Sequence, residues 1–252
     1  MAYQSSFKRY ELKYLLAPEE KQKILQAMAP YMQLDQFGRS EIRNLYFDTD
    51  SFRLIRRSLE KPVYKEKLRI RSYRPVGPEE PVYVELKKKY KSVVYKRRIL
   101  LPQQQALDWL AGEIPAPENT QIAREIQYFL QYYETLHPTV FLSYEREAYY
   151  SLDGSDFRVT FDDTIQSRQT ELSLQAPAGG DLLLPKGKVL MEIKTSGGFP
   201  LWMTAVLTQN RIFKTSFSKY GTAYQRLIYP QIKGAMFHEQ YRHLSESVPG
   251  SF

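Results

Sequence analysis

Apolar and polar residues alternate in one stretch after another of this chain. Side chains two apart share a face of a strand, so the alternation predicts strands. They are expected at Arg9–Leu16, Ile42–Phe47, Val63–Tyr73, Val82–Lys89, Val93–Leu101, Thr139–Tyr150, Phe157–Asp162 and Val189–Lys194, with a weak one near Glu171–Leu174. Helical periodicity fills the gaps. Pro18-Glu19-Glu20 opens a helix reaching about Met32, with Ile24, Leu25, Met28 and Tyr31 as its apolar stripe. Asp48-Thr49-Asp50-Ser51 caps a short helix carrying Phe52, Leu54 and Ile55. Further helices are predicted from Pro102 through Leu110 and over Ile122–Leu136, Leu201–Ile212 and Ser218–Tyr229. Eight or nine strands, mostly joined by hairpin-length connections, give an antiparallel α+β fold. With no linker or repeat, one domain is expected over 1–252: a core of about 7–230 and a polar, partly disordered tail over 231–252.

The polar faces of these strands are repeatedly cationic. Arg9, Glu11 and Lys13 share one face, as do Lys65, Lys67, Arg69 and Arg71. Glu85, Lys87 and Lys89 line another, then Lys96 with Arg98, Tyr144 with Arg146, Arg158 with Thr160 and Asp162, and Glu192 with Lys194. An antiparallel sheet with one solvated face gives such alternation on any single strand. Seven strands of it, rich in Lys and Arg, make a surface that repels itself unless an anion neutralises it. Closing the sheet around an anion solves this. The expected architecture is a closed antiparallel β-barrel, charged within, with helices packed on its apolar outer face.

Charge counting sharpens the picture. The 252 residues carry 36 Lys and Arg against 28 Asp and Glu, a net charge of +8. Between Lys61 and Arg98, 13 basic residues face four acids, so that stretch is +9 and the remainder −1. A localised excess of this kind points to an anionic partner. Cysteine is absent and histidine occurs three times, which excludes disulfides, thiolate chemistry and a histidine-rich metal site. No apolar run approaches the ~18 residues of a membrane span, and the N-terminus lacks the apolar core of a signal peptide, so the chain reads as cytoplasmic.

The acids suggest a metal. Glu11, Glu85 and Glu192 each stand two residues before a lysine (Lys13, Lys87, Lys194). Hard divalent cations take oxygen ligands and commonly bridge carboxylates to substrate phosphates, so Mn²⁺ or Mg²⁺ with a polyphosphate chain fits the pattern.

In order, Arg-x-Glu-x-Lys-Tyr (Arg9 to Tyr14), Asn-Leu-Tyr-Phe-Asp (Asn44 to Asp48), Lys-x-Arg-x-Arg (Lys67 to Arg71) and Val-Glu-Leu-Lys (Val84 to Lys87) resemble the catalytic domain of the vacuolar transporter chaperone (VTC) complex. So do Tyr-x-Arg (Tyr144 to Arg146), Arg-x-Thr-x-Asp (Arg158 to Asp162), Met-Glu-Ile-Lys (Met191 to Lys194) and Phe-Ser-Lys-Tyr (Phe217 to Tyr220). The resemblance spans roughly residues 7 to 230. VTC domains belong to the triphosphate tunnel metalloenzymes, or CYTH-like superfamily, so it implies a polyphosphate polymerase moving the γ-phosphate of ATP onto a polyphosphate chain with Mn²⁺ or Mg²⁺. By resemblance, Lys13, Arg69, Arg71, Lys87, Arg146 and Lys194 are the catalytic cations, Lys96, Ser218 and Lys219 bind phosphate, and Glu192 holds metal; the charged strand faces add Lys67, Arg98 and Arg158 to the phosphate-binding set, and the Glu-x-Lys spacing adds Glu85 and Glu11 to the metal ligands. Arg9 stands where the wider superfamily has a glutamate, which argues against its cyclase and thiamine-triphosphatase branches. Ser216 stands where the family can have a basic residue, removing one phosphate contact. Regulation and any membrane coupling are expected from separate chains, including a separate membrane-protein partner.

Other signals are weaker. His238 and His243 are five residues apart, about 140° around a helix, and cannot clasp one zinc. No P-loop or Rossmann glycine pattern occurs. Lys87-Lys88-Lys89-Tyr90-Lys91 looks like a nucleic-acid patch, but Lys88 points away from its neighbours in a strand, and nucleic acid is not the expected partner. A triphosphate, polyphosphate or nucleoside-triphosphate hydrolase with water as acceptor, and a non-catalytic polyphosphate binder, remain the alternatives.

Overall fold

Ten antiparallel strands form one sheet in the computed structural model, which describes residues 10–91 and 93–234. The strands are β1 (Tyr10–Leu16), β2 (Met32–Asp48), β3 (Tyr64–Ser72), β4 (Pro81–Tyr90), β5 (Val93–Pro102), β6 (His137–Ser151), β7 (Arg158–Arg168), β8 (Asp181–Leu182), β9 (Val189–Thr195) and β10 (Lys214–Thr215). Their order is β10-β1-β9-β7-β6-β2-β3-β4-β5, with β8 added to β7. The helices are α1 (Pro18–Met28), α2 (Arg53–Leu59), α3 (Gln103–Ala111), α4 (Gln121–Tyr133), α5 (Leu201–Gln209) and α6 (Lys219–Ala223), the last running on into a π-helical turn at Tyr224–Ile228. The α+β class and its antiparallel sheet follow the alternation.

The outer face of the sheet is apolar and covered by helices. On one half, Leu68, Ile70, Val82, Val84, Leu86 and Ile99 pack against Trp109 of α3 and Ile126 and Phe129 of α4. On the other, Leu16, Val159, Phe161, Met191 and Ile193 pack against Ile24 and Met28 of α1 and Met203 and Val206 of α5. A third cluster lies elsewhere: Tyr46, Val140, Leu142 and Tyr144 meet Tyr220, Ala223, Tyr224 and Ile228. Because Tyr46, Tyr144 and Tyr220 also line the charged cavity described below, the C-terminal helix fills one end of the inner face. The expectation that all helices sit outside is corrected at α6.

Asp48 fixes this plug. Its carboxylate accepts from the backbone N–H groups of Thr49, Leu54 and Ile55 at 2.8–3.0 Å, capping α2, and from the Tyr220 hydroxyl at 2.9 Å. A Cβ on Gly221 would meet the Ser218 Oγ at 3.0 Å and Leu59 of α2 at 3.1 Å, so glycine lets α6 lie this close.

Four expectations change. The first helix stops at Met28, and the long β2 begins at Met32, well before Ile42. Its first half alternates only over Met32–Asp35 before Gln36, Phe37 and Gly38 break the pattern; pairing with β6, Met32 opposite Ser151 through Leu34 opposite Tyr149, holds it. Glu171–Leu174 is not a strand: Leu172 and Leu174 join the outer core from an irregular segment, and the short strand is β8. The helix from Leu201 ends at Gln209, and the two-residue β10, too short to alternate, pairs with Lys13 and Tyr14. Finally, among the described residues no hydrogen-bond ladder joins β5 to β1 or β10, so the barrel is not closed by backbone. Arg9 and the tail from 235, including His238 and His243, lie outside the described residues; residues 231–234 of the expected tail are helical.

Candidate functional site

Because β-strand side chains alternate, the apolar outer face forces the Lys, Arg and Glu positions inward. Residues from both ends of the strand order line one cavity of about 590 Å³: Glu11 and Lys13 of β1, Lys67, Arg69 and Arg71 of β3, Lys87 of β4, Lys96 of β5, Arg146 of β6, Glu192 and Lys194 of β9, and Ser218 and Lys219 at the start of α6. The sheet therefore curls around the cavity, and side chains reach across it between elements that no backbone ladder joins. Lys87 reaches Glu11 at 3.6 Å, Lys13 donates to the Phe217 carbonyl at 2.8 Å, and Lys67 donates to Ser218 Oγ at 3.1 Å.

Two buried carboxylates organise the cations. Arg69 donates through Nε and Nη2 to Glu85 Oε2 at 2.9 and 2.7 Å, and through Nη1 to the Tyr46 hydroxyl at 3.0 Å. Arg71 lies 3.9 Å from the same Glu85 oxygen and donates to Asn44 Oδ1 and the Tyr144 hydroxyl, while Lys96 meets Glu85 Oε1. Burial works to raise the Glu85 pKa, but Arg69, Arg71 and Lys96 outweigh it and hold it at about 2. The second organiser is Asp162, fully buried, which accepts a bidentate pair from Arg146 and an ammonium hydrogen bond from Lys219 at 2.5 Å. Burial works against ionisation there too, and Lys219 and Arg146 still pull the carboxyl below its ordinary range.

Glu11 and Glu192 differ, because they face the cavity. Both lie 3.3 Å from one ammonium, that of Lys13. Glu192 also lies 3.3 Å from Lys219 and within 4 Å of Arg146 and Lys194. Burial opposes ionisation of Glu11, but Lys87, Lys13 and Lys194 keep it at about 2; Glu192 is held well below the carboxylate range by Lys219, Lys13, Lys194 and Arg146 against the same penalty.

Lys67 is the exception among the lining cations: among the described residues, no carboxylate comes within 4 Å of it. Burial, reinforced by Lys87, Lys65, Lys13 and Arg69, pushes its pKa down to about 7. Burial also lowers Lys96 to about 8 despite Glu85, and it lowers Lys194.

Of the positions expected from sequence, Lys13, Lys67, Arg69, Arg71, Lys87, Lys96, Arg146, Lys194, Ser218, Lys219, Glu11 and Glu192 come together here. Glu85 sits directly behind the wall, occupied by three cations. Arg98 shares the inner face but lies over the Tyr83 ring, 4.9 Å away, and does not line the cavity. Arg158, exposed opposite Lys194, does not line it either. Tyr46, Tyr144 and Asp162 were not singled out as site residues, although Tyr144 and Asp162 fall on the charged faces of their strands.

A divalent cation fits part of this donor set. Glu11 and Glu192 present oxygens to the cavity on either side of Lys13, and Mg²⁺-like ions use one or two carboxylates plus substrate phosphates. Glu85 does not fit as a ligand, since unlike Glu11 and Glu192 it does not line the cavity. Among the described residues, no group of three or more acidic or histidine side chains is placed to hold an ion without substrate.

The sequence profile of the VTC domain family matches residues 8–228. The chain belongs to the VTC domain family. This VTC domain has the fold of a Bacillus halodurans protein described as a candidate adenylate cyclase: TM-score 0.54 and 17% identity over 89% of this chain and 100% of the other. A Hippeastrum protein, described as a candidate adenylyl cyclase with a dominant triphosphatase activity, aligns with TM-score 0.49 and 17% identity over 85% and 94% of the two chains. No curated protein sequence matches this VTC domain. Among its described residues no helix is long and apolar enough to cross a membrane.

Proposed function

We propose that this VTC domain is a metal-dependent polyphosphate polymerase that transfers the γ-phosphate of ATP onto a polyphosphate chain within the cationic cavity. The observation that carries the reading is the pair of carboxylates, Glu11 and Glu192, facing a cavity otherwise lined by cations and sharing Lys13. A module that only binds polyanions has no need of a metal ligand facing its substrate. A phosphotransferase does, because a divalent ion held by Glu192 and Glu11 would neutralise charge on the triphosphate.

The chain's own residues supply the rest. Arg69 and Arg71, oriented by Glu85, Tyr46, Asn44 and Tyr144, present fixed guanidinium edges to phosphate oxygens, geometry an ammonium cannot reproduce. Lys13, Lys87, Lys194 and Lys219 surround the carboxylates as point charges. In the transfer, a terminal oxygen of the polyphosphate forms a bond to the γ-phosphorus while the bond from that phosphorus to the bridging oxygen breaks, releasing ADP. Such transfers ask the protein for positioning and neutralisation more than for covalent work.

The test is purified protein with ATP and Mn²⁺, the products resolved into long-chain polyphosphate, free phosphate or neither. Long-chain product supports the reading, free phosphate alone makes the protein a hydrolase, and neither makes it a binder.

A further inference from the structure

Lysines oppose one another along β3, β4 and β5. Lys65 pairs in register with Lys89, Lys67 with Lys87, and Lys87 in turn with Lys96. Like charges directly opposite are unfavourable, and the inner part of this ladder is relieved by acids, Lys96 by Glu85 and Lys87 by Glu11. The outer part is not. Among the described residues no carboxylate lies within 4 Å of Lys65, Lys67 or Lys89. Lys65 donates to the Ser58 carbonyl at 3.0 Å, in the last turn of α2, where the helix dipole is negative. Its pKa is lowered by burial and then by Lys89, Lys87 and Lys61, so these ammonium groups feel one another.

Successive rungs on one face of a strand are about 7 Å apart. Lys67 stands in the cavity wall, and Lys65 and Lys89 occupy the next rung towards the strand ends at Tyr64 and Tyr90. From this continuity we infer that Lys65 and Lys89, with Lys61 beside them, form a second polyanion subsite that holds linear polyphosphate where it extends beyond the cavity. This rests on the proposed polyphosphate reading and adds to it: the protein distinguishes long chains from short ones outside the site of transfer. A linear polyphosphate suits the position better than nucleic acid, because the subsite is the continuation of a cavity wall and must take an anion slim enough to occupy both.

The experiment compares binding of tripolyphosphate and of long-chain polyphosphate to the full chain, without ATP, for wild type, Lys65→Gln/Lys89→Gln and, as control, Lys88→Gln. Lys88 lies between the rungs but faces Glu125 of α4 at 3.4 Å, so it removes the same kind of charge from the outer face. The double variant is expected to lose long-chain affinity roughly tenfold and to lower the slope of log affinity against log salt by about 1.4, at about 0.7 per lost contact. Tripolyphosphate affinity should hold within about twofold, and Lys88→Gln should change neither. Equal losses for both anions, losses in the control, or no loss in the double variant would each overturn the subsite. If the subsite instead served single-stranded DNA, an oligonucleotide would bind as tightly as long-chain polyphosphate and weaken with the same double variant. Wild type that binds neither phosphate anion would overturn the functional reading itself, and the subsite with it. Melting temperature checks folding, and Lys89→Glu alone, on a half-buried side chain with no partner to lose, gives the same comparison should the double variant unfold.

Discussion

Arg146 and Asp162 face each other across β6 and β7 in a two-point pair, Nε to Oδ1 at 2.6 Å and Nη2 to Oδ2 at 2.7 Å. The guanidinium expected to grip phosphate is thus largely engaged with a buried carboxylate, which also holds Lys219. Removing Asp162 strands two cations in a buried setting, and breaking a buried pair this way costs about 3–5 kcal/mol. Asp162→Ala is therefore expected to lower the melting temperature by on the order of 10 °C, measured by calorimetry. A change under about 2 °C would mean that the pair is not structural.

The cavity carboxylates predict an acid limit. Glu11 and Glu85 fall from an ordinary 4.5 to about 2 in the folded chain, so their cation contacts stabilise fully above the unfolded value. That contribution is lost as pH falls from about 4.5 towards 2. Denaturant midpoints should drop steeply across this window, and the drop should be shallower in Glu85→Gln.

Lys67 is a penalty where the carboxylates are a gain, although stability rises with pH in both cases. Its folded pKa, about 7, lies below the ordinary 10.5, so the charged form is penalised in the folded state and the penalty is relieved as pH rises from 7 to 10.5. A bound polyanion favours the ammonium. Tripolyphosphate binding should therefore take up protons and weaken as pH rises from 7 to 9, read by calorimetry in buffers of different ionisation enthalpy. Lys67→Gln should flatten that dependence, and an unchanged uptake in the variant would move the proton elsewhere.

Metal titration separates Glu192 from Glu85. Glu192→Gln should need much more Mn²⁺ for half-maximal activity while keeping its fold, because the amide removes a charge and leaves the shape. In Glu85→Gln, by contrast, activity should stay low at any Mn²⁺ concentration, because Arg69 and Arg71 lose their anchor. Arg71→Lys should also lose activity at saturating metal, while Arg98→Ala and Arg158→Ala, outside the cavity, should stay within about twofold of wild type.

How far the sequence could carry this site depended on period and register. Alternation assigned Lys67, Arg69, Arg71, Lys87 and Lys194 to one face, and the structure brings them together. It does not give height along the cavity, so Arg98 and Arg158 share the face without reaching the lining. Nor does it reveal the partner across the strand: Glu85 has the same Glu-x-Lys spacing as Glu11 and Glu192, and only the register that sets it opposite Arg69 and Arg98 separates it from them. The inner position of α6 was equally hidden, because Tyr220, Ala223, Tyr224 and Ile228 give the apolar stripe of a helix covering either side of a sheet.

On the proposed polyphosphate reading, the seam between β1 and β5 changes how a polymer gets in. A wall zipped shut by backbone amides is a ring, and a string enters a ring only by its tip. Here, among the described residues, no ladder joins β5 to β1, and the pairs that bridge the two halves of the wall, such as Lys87 of β4 with Glu11 of β1, 3.6 Å apart, are open to competition from any phosphate that arrives. A chain can then be laid in from the side, as a rope is into a cleat. Polyphosphate with bulky groups on both ends should accordingly associate as fast as the free-ended polymer in stopped-flow mixing, and a rate set by the size of the end groups would mean threading instead.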